Sequence, residues 1–352
     1  MKIQKLRQKI DKLDKQIVGV LNKRANLVLE IASSKKDQGK SAYAPEREYE
    51  VLNKIKSFNN GPFPSSALEA VYREIMSYSL AIGRKLKVAY LGPQASFTNL
   101  AAIKRFGLQV EYIPCESIFD VFNSVENNQA DYGVVPIENS IEGAVTHTLD
   151  MFMQSDLKIC SQILQPIAHN LLAKCQLKQI KKVYSILQVF GQCRRWLQDN
   201  LPHAERIEVS STTKAAQIVS KERNSACIAS LLAAKVYKLK VLSKGIEDSP
   251  HNITRFMVIG NTQVPQIKHS RTSLLFSIKD RVGALHDMLN TFKKYKINLT
   301  KIESRPSKVK AWEYYFYVDL EGHLQDKNVS KAIADLDSKC KFLKILGSYP
   351  ES

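Results

Sequence analysis

The sequence contains no run of about 18 apolar residues, so no segment is expected to span a bilayer. Its first residues alternate charged and apolar side chains without the apolar core of a secretory signal, and this reads as a cytoplasmic chain. Cysteines are few and scattered. Cys115, Cys160, Cys175, Cys193, Cys227 and Cys340 form no Cys-x-x-Cys pair and no zinc-like spacing. Neither a structural metal nor a disulfide framework is expected, and such thiols suit a reducing compartment. Walker loops, zinc fingers and aromatic RNA-binding motifs are missing, and none of the seven histidines stands in metal-ligand or triad spacing. Acidic residues are in short supply, 34 against 52 Lys and Arg, for a net charge of +18. The excess is spread along the chain and not gathered into a tail. It is read as a basic, solvated surface with small anionic ligands, not as a nucleic-acid or membrane surface. No cofactor is expected.

What the chain does contain is 352 residues, 44% of them hydrophobic, enough for two or three separate cores. Ile3, Leu6, Ile10, Leu13, Ile17 and Val20 recur at steps of three and four, and Leu27 and Ile31 continue the stripe. A long helix packed on partner helices follows, with a second subunit as one source of partners. A second helix is expected after Pro45, a break at Asn59–Pro64, and a third helix over about Ser65–Gly83. The stripe also carries cations where apolar residues are due. Arg24 and Lys35 lie within about 20° of each other and about 16 Å apart along an ideal helix. Two readings stand: snorkelling or a structural ion pair, and an anion site between helices sized for a small dicarboxylate. Arg7 lies about 100° off the stripe and faces away from it.

Residues 1–86 resemble the all-helical chorismate mutase family through Leu6-Arg7, Arg24, Lys35, Pro45-Glu46-Arg47-Glu48 and Ser79, in order and spacing. The resemblance implies that Arg7 reaches a partner subunit's site, that Arg24 and Arg47 bind carboxylates, that Lys35 contacts a carboxylate and the breaking ether oxygen, and that Glu48 and Ser79 complete the lining. Two positions depart from the family: Ala44 replaces an acidic residue, and Gly83 replaces the glutamine that donates to the ether oxygen. The departures imply a weakened mutase or a module that only dimerises.

From Lys87 the texture becomes α/β, with short apolar strands alternating with helices to about Ile259. Strand ends carry Gly92-Pro93-Gln94-Ala95-Ser96-Phe97-Thr98 and Val134-Val135-Pro136-Ile137-Glu138-Asn139-Ser140. Ser185, Gln192, Ser211-Thr212-Thr213 and Asn252-Ile253-Thr254-Arg255-Phe256 follow. Each segment alone is ordinary turn or cap chemistry. Together, over roughly 87–265, they resemble prephenate dehydratase, a two-lobed fold like the periplasmic binding proteins with its site in the cleft. The resemblance implies that Thr254 contacts the substrate and helps the ring hydroxyl leave. It further implies that Glu138, Asn139, Ser185 and Gln192 line the cleft and that Ser96 and Thr212 hold carboxylates at helix starts. Ser185-Ile186-Leu187-Gln188 lacks the family's His-Pro. His251 is read as a loop residue, with the cleft as the other placement.

Residues 272–349 give the order βαββαβ, a ferredoxin-like unit. Its Asp280-Arg281-Val282-Gly283-Ala284-Leu285 and Glu303-Ser304-Arg305-Pro306 resemble the regulatory ACT domain. The resemblance implies phenylalanine bound by Gly283, Ala284, Leu285, Glu303, Ser304 and Arg305 at a dimer interface. Three domains are thus expected, 1–86, 87–265 and 272–349, in a homodimer acting on chorismate and prephenate. The standing alternatives are a monofunctional dehydratase with a dimerising helical module, and a non-catalytic amino-acid sensor.

Overall fold

A computed structural model describes residues 2–37, 44–83, 85–278, 281–307 and 313–351; the side chains of Lys2, of Lys35–Asp37 and of residues 80, 82 and 83 lie outside the described set. The chain forms two compact units, one of residues 1–86 with 106–111, the other of 87–105 with 112–352.

The first unit holds three helices, α1 (Lys2–Asp37), α2 (Pro45–Phe58) and α3 (Ser65–Gly83). Pro45 occupies the first turn of α2, where its missing N–H costs nothing. Asn59 shapes the α2–α3 turn by donating to the Phe63 carbonyl at 2.8 Å and to Ser65 Oγ at 3.1 Å, and Lys56 pairs with Glu69 across it at 2.6 Å. The α1 stripe is present as expected, but its side chains Ile3, Leu6, Ile10, Leu13, Ile17 and Val20 are exposed in the single chain.

The second unit begins with β1 (Lys87–Leu91), β2 (Glu111–Cys115), β3 (Tyr132–Asn139), β4 (Gly143–Ala144) and β5 (Lys158–Pro166). It crosses to β6 (Asn170–Ala173), β7 (Lys182–Ser185), β8 (Glu205–Glu208), β9 (Ser225–Ala229) and β10 (Lys240–Ser243), then returns in β11 (Ile253–Gly260). One sheet has the order β2-β1-β3-β11-β5 with β4 on β3, and the other β10-β6-β9-β7-β8. Two lobes therefore share two crossings, residues 167–169 and 244–252. Helices α4 (Phe97–Phe106), α5 (Ile118–Glu126) and α6 (Thr146–Gln154) belong to the first lobe. The second lobe carries α7 (Leu187–Gln192), α8 (Arg194–Asn200), α9 (Thr212–Val219) and α10 (Leu231–Val236).

The remainder is β12 (Ser270–Ile278), α11 (Ala284–Lys294), β13 (Leu299–Pro306), β14 (Tyr314–Glu321), α12 (Lys327–Asp337) and β15 (Cys340–Pro350), in the sheet order β13-β14-β12-β15. This is the expected ferredoxin-like arrangement. The third of its strands, expected from Trp312, runs from Tyr314, and Trp312 and Asp280 lie outside the described residues. Strand alternation gives the sheet two apolar faces. Leu274, Phe276, Val318 and Leu320 pack under α11 and α12. Leu275, Tyr317, Leu346 and Tyr349 join Val135, Ile159 and Met257 in the core of the first lobe. The fit there is close. A Cβ on Gly347 of β15 would stand 2.3 Å from the Ile159 carbonyl oxygen of β5.

Candidate active site

Thr254 sits near the start of β11, where the second crossing re-enters the first lobe. In the β11–β3 ladder Thr254 faces Asn139, and Arg255 faces Glu138. Neighbouring residues of a strand point to opposite sides. Thr254 and Asn139 therefore share one face, while Arg255 and Glu138 share the other.

On the Thr254 face, Asn139 Nδ2 donates to Thr254 Oγ1 at 2.8 Å and to Asn252 Oδ1 at 2.7 Å. The Asn139 amide cannot be reversed, because its Oδ1 accepts the backbone N–H groups of Ile141 and Glu142, both at 3.0 Å. Thr254 Oγ1 is therefore an acceptor from Asn139, and its own hydrogen is left for another partner. Asn252 Nδ2 donates to Gln192 Oε1 at 2.9 Å, and Gln192 Nε2 donates to Glu142 Oε1 at 2.9 Å. Asn139, Asn252, Thr254 and Gln192, drawn from both lobes and a crossing, form one hydrogen-bonded cluster.

His169, in the first crossing, joins this cluster without any warning from the sequence. It is buried, with Nε2 at 2.8 Å from Gln192 Oε1 and its ring in an edge-to-face pair with Phe97. Burial lowers its pKa, outweighing the opposing effects of the Gln192 hydrogen bond and of Glu247. His251 offers its carbonyl, which accepts from Ser140 Oγ at 2.8 Å.

The helix starts behave as caps. Ser96 Oγ accepts the Asn99 N–H at 3.2 Å and donates to the Leu91 carbonyl at 3.1 Å, ahead of α4. Ser211 Oγ accepts the Lys214 N–H at 3.0 Å, and Thr212 is the buried first residue of α9. Ser185 departs from the expectation of a cleft-lining hydroxyl. It is fully buried, and its Oγ donates to the Ile228 carbonyl at 3.2 Å, because β7 is an interior strand of its sheet.

Glu138 also departs. Its Oε2 lies 3.0 Å from Lys301 Nζ of β13 and 3.8 Å from Arg255 Nη1. It faces the C-terminal sheet, on the side away from Thr254. Arg255 is the centre of that junction. It donates to Asp319 Oδ2 at 2.5 Å, Gln162 Oε1 at 2.8 Å and Tyr349 Oη at 2.9 Å. Burial opposes its charge, but Tyr349, Asp319 and Glu138 together raise its pKa.

In the C-terminal sheet Gly283 has φ of +78° ahead of α11, a conformation that suits glycine, with open space where a Cβ would stand. Ala284 begins the helix, and Leu285 is exposed. Alternation along β13 divides the expected effector motif. Glu303 and Arg305 point inward, with Arg305 at 3.4 Å from Asp150 of α6, and Ser304 points to the opposite, exposed side. Glu303 and Arg305 thus lie on the side of β13 opposite Ser304.

In the helical unit Arg24 Nη1 donates to Ser79 Oγ at 2.6 Å, joining α1 to α3. Arg47 is exposed and pairs with Glu50 at 3.0 Å, away from Arg24 and Ser79 in the hydrogen bonds it makes. Glu48 is half-buried on α2, and Arg7 is exposed on α1. The Lys35 side chain lies outside the described residues. Among the described residues no cluster of His, Cys, Asp and Glu could hold a metal ion, and no helix is long and apolar enough to cross a membrane.

Three family profiles match the chain: chorismate mutase type II over residues 6–84, prephenate dehydratase over 88–264 and ACT domain over 272–338. A bifunctional chorismate mutase/prephenate dehydratase of Aquifex aeolicus is 47% identical over 99% of this chain and 98% of its own length. A relative of the same name from Stutzerimonas stutzeri is 42% identical over 99% and 97%. A solved prephenate dehydratase of Arthrobacter aurescens, in complex with L-Phe, is 32% identical, covers 76% of this chain and 90% of its own, and superposes with a TM-score of 0.71. With full-length identity at this level and all three domains in order, the chain belongs to the bifunctional chorismate mutase/prephenate dehydratase family.

Proposed function

We propose that the helical unit rearranges chorismate to prephenate, that the two-lobed domain converts prephenate to phenylpyruvate, and that phenylalanine binds the C-terminal domain and restrains the second reaction. The observation that carries the dehydratase reading is the Thr254 hydroxyl, held as an acceptor by an irreversible Asn139 amide so that its hydrogen is offered to the cleft. In the reaction the ring carboxylate leaves as CO₂, its bonding pair restores the aromatic ring, and the ring hydroxyl departs and takes up a proton to become water. Hydroxide is a poor leaving group, so hydrogen bonding at that oxygen lowers the barrier. Thr254 supplies that hydrogen bond. The N-terminal turns of α4 and α9, beginning after Ser96 and Ser211, offer backbone N–H groups to the substrate carboxylates. Gln192 and Asn139 hold the polar wall. Glu138 acts from the other face, through Arg255 and Lys301. Coupled assays of purified protein on prephenate and, separately, on chorismate test the reading; the reading requires turnover of both.

The mutase reaction is unimolecular, so positioning of the dianion and a donor at the ether oxygen supply the rate. Arg24, fixed on Ser79, is the carboxylate-binding cation; the family resemblance adds Lys35, Arg47 and Glu48 to the site and gives Arg7 to the partner subunit. The exposed apolar stripe of α1 supports a homodimer in this unit. With glycine at 83, chorismate turnover is expected to be weak. Gly83→Gln should raise kcat by about 10-fold or more by restoring a donor, and Arg24→Ala should raise KM. Unchanged turnover in Gly83→Gln would remove the donor role from that position.

Phenylalanine recognition is assigned to the start of α11 with Gly283, Ala284 and Leu285, and to the exposed side of β13 at Ser304. Glu303 and Arg305 support that strand from its inner side. Gly283→Val strains a left-handed residue and fills the open space beside it. Calorimetry on the full chain should show phenylalanine affinity reduced by at least about 10-fold, a coupling-sized loss, with basal prephenate turnover retained. The six free cysteines support residence in a reducing cytoplasm.

A further inference from the structure

We infer that His169 is a positioning residue of the dehydratase site, fixing the direction of the Thr254 hydroxyl through Gln192, Asn252 and Asn139. The inference rests on the dehydratase reading above.

The cluster is pinned at both ends by groups whose roles are not exchangeable. At one end Asn139 Oδ1 accepts two backbone N–H groups. At the other, Gln192 Nε2 meets the Glu142 carboxylate, which only accepts when ionised. Gln192 must therefore turn Oε1 towards Asn252 and His169. Two donors converge on that oxygen: Asn252 Nδ2 at 2.9 Å and His169 Nε2 at 2.8 Å. His169 thus carries its hydrogen on Nε2, and Nδ1 is an acceptor.

Every polar contact in the path has one sense: His169 to Gln192, Asn252 to Gln192, Asn139 to Asn252, Asn139 to Thr254. Without the His169 donor, Gln192 is held on that side by Asn252 alone. Glu142 and the Ile141 and Glu142 N–H groups still fix the sense of both amides, but Gln192 can now shift within its site, and the Asn252 and Asn139 contacts that set the angle at Thr254 loosen with it. The Thr254 hydrogen loses its direction, although no contact with the substrate has been removed.

Two further features argue against a purely structural histidine. Its Nδ1 is buried and has no hydrogen-bond partner among the described residues. A buried acceptor left so is costly, and an apolar side chain would remove the cost. Its backbone is already secured without the ring, by its N–H on Glu247 Oε2 at 2.8 Å and its carbonyl on the Ile246 N–H at 2.9 Å.

The test uses a matched pair in the full-length protein, His169→Gln and His169→Met. The two replacements have similar length and volume, and only glutamine keeps an N–H donor for Gln192. Prephenate kcat should fall by about 10- to 100-fold in His169→Met, with KM within about threefold, and His169→Gln should recover most of the loss, since a lost orienting contact acts on kcat more than on ground-state binding. Phenylalanine binding should be unchanged in both. Equal kcat values for the two variants overturn the inference. If neither variant folds, ¹⁵N imidazole shifts of the native protein decide: a neutral Nε2–H tautomer supports the assignment, and an Nδ1–H tautomer overturns it. A native protein that does not turn over prephenate at all instead sinks the dehydratase reading.

Discussion

Thr254→Val is expected to lower prephenate kcat by about 10²–10³-fold, the range for losing a positioned hydrogen-bond donor to charge that develops in the transition state. Valine matches threonine in shape, and the site is buried in β11, so packing is kept. The stability cost comes from the Asn139 Nδ2 hydrogen left without its acceptor, about 1–3 kcal/mol. That cost is shared by any variant lacking the oxygen, so it does not distinguish mechanisms. The direction of the hydroxyl does. Thr254→Ser keeps the oxygen and should keep most of kcat. Asn139→Asp keeps an acceptor for the Ile141 and Glu142 N–H groups but turns a carboxylate oxygen towards Thr254. The hydroxyl then donates to that carboxylate and not to the substrate, and kcat should fall although the hydroxyl is still present. Full activity in Thr254→Val would remove the residue from the mechanism.

The motifs themselves were legible because they are contiguous. Asn139 and Thr254 each sit in a distinctive run of residues, and the ladder brings the two runs side by side. What the runs do not display is which way each side chain points. Glu138 and Asn139 are adjacent in sequence and were expected to line the cleft together, yet within one strand they must face opposite ways. The same alternation divides Glu303 and Arg305 from Ser304 on β13. Period-two reasoning applied inside the motifs would have found both divisions. The burial of Ser185 was hidden for another reason: the end of an interior strand is covered by its neighbours, and no local pattern reports that. His169 lies 23 residues from Gln192 and 83 from Asn252. No spacing signals a contact made only when two lobe crossings run together. In the helical unit the period was plain, and so was the misplaced Arg24, but its Ser79 partner is 55 residues away and came only from the resemblance.

The face of β11 that looks away from the cleft gives the second large effect. Arg255 follows Thr254 directly, and its guanidinium is buried against Asp319 at 2.5 Å, Gln162 and Tyr349. Asp319 Oδ1 is in turn bound by Ser273 Oγ at 2.5 Å, and Ser273 also meets Tyr349 Oη at 2.7 Å. Burial raises the Tyr349 pKa, and the neighbouring Asp319 raises it further, so the phenol stays protonated and can donate. Asp319, Tyr349 and Ser273 belong to the C-terminal sheet, while Arg255 and Gln162 belong to the first lobe, so one buried ion pair joins the C-terminal domain to the strand that carries Thr254. Removing one partner strands the other charge away from water. Asp319→Leu is therefore expected to destabilise the protein by about 3–5 kcal/mol, read as a lower urea midpoint for the second unit. Arg255→Met, made together with Asp319→Leu, should recover a substantial part of that loss, because no unpaired charge remains and apolar groups fill the space. The pair also separates stability from regulation. In the double variant the lobe and the sheet keep their packing, including the close approach of Gly347 to Ile159, and the peripheral Glu138–Lys301 and Arg305–Asp150 pairs, but lose the buried Arg255–Asp319 pair. Phenylalanine should still bind there, while its effect on prephenate turnover weakens, because binding and response are linked only through contacts that differ between states. Inhibition of the double variant at full strength would show that the ion pair holds the domains together without carrying the signal.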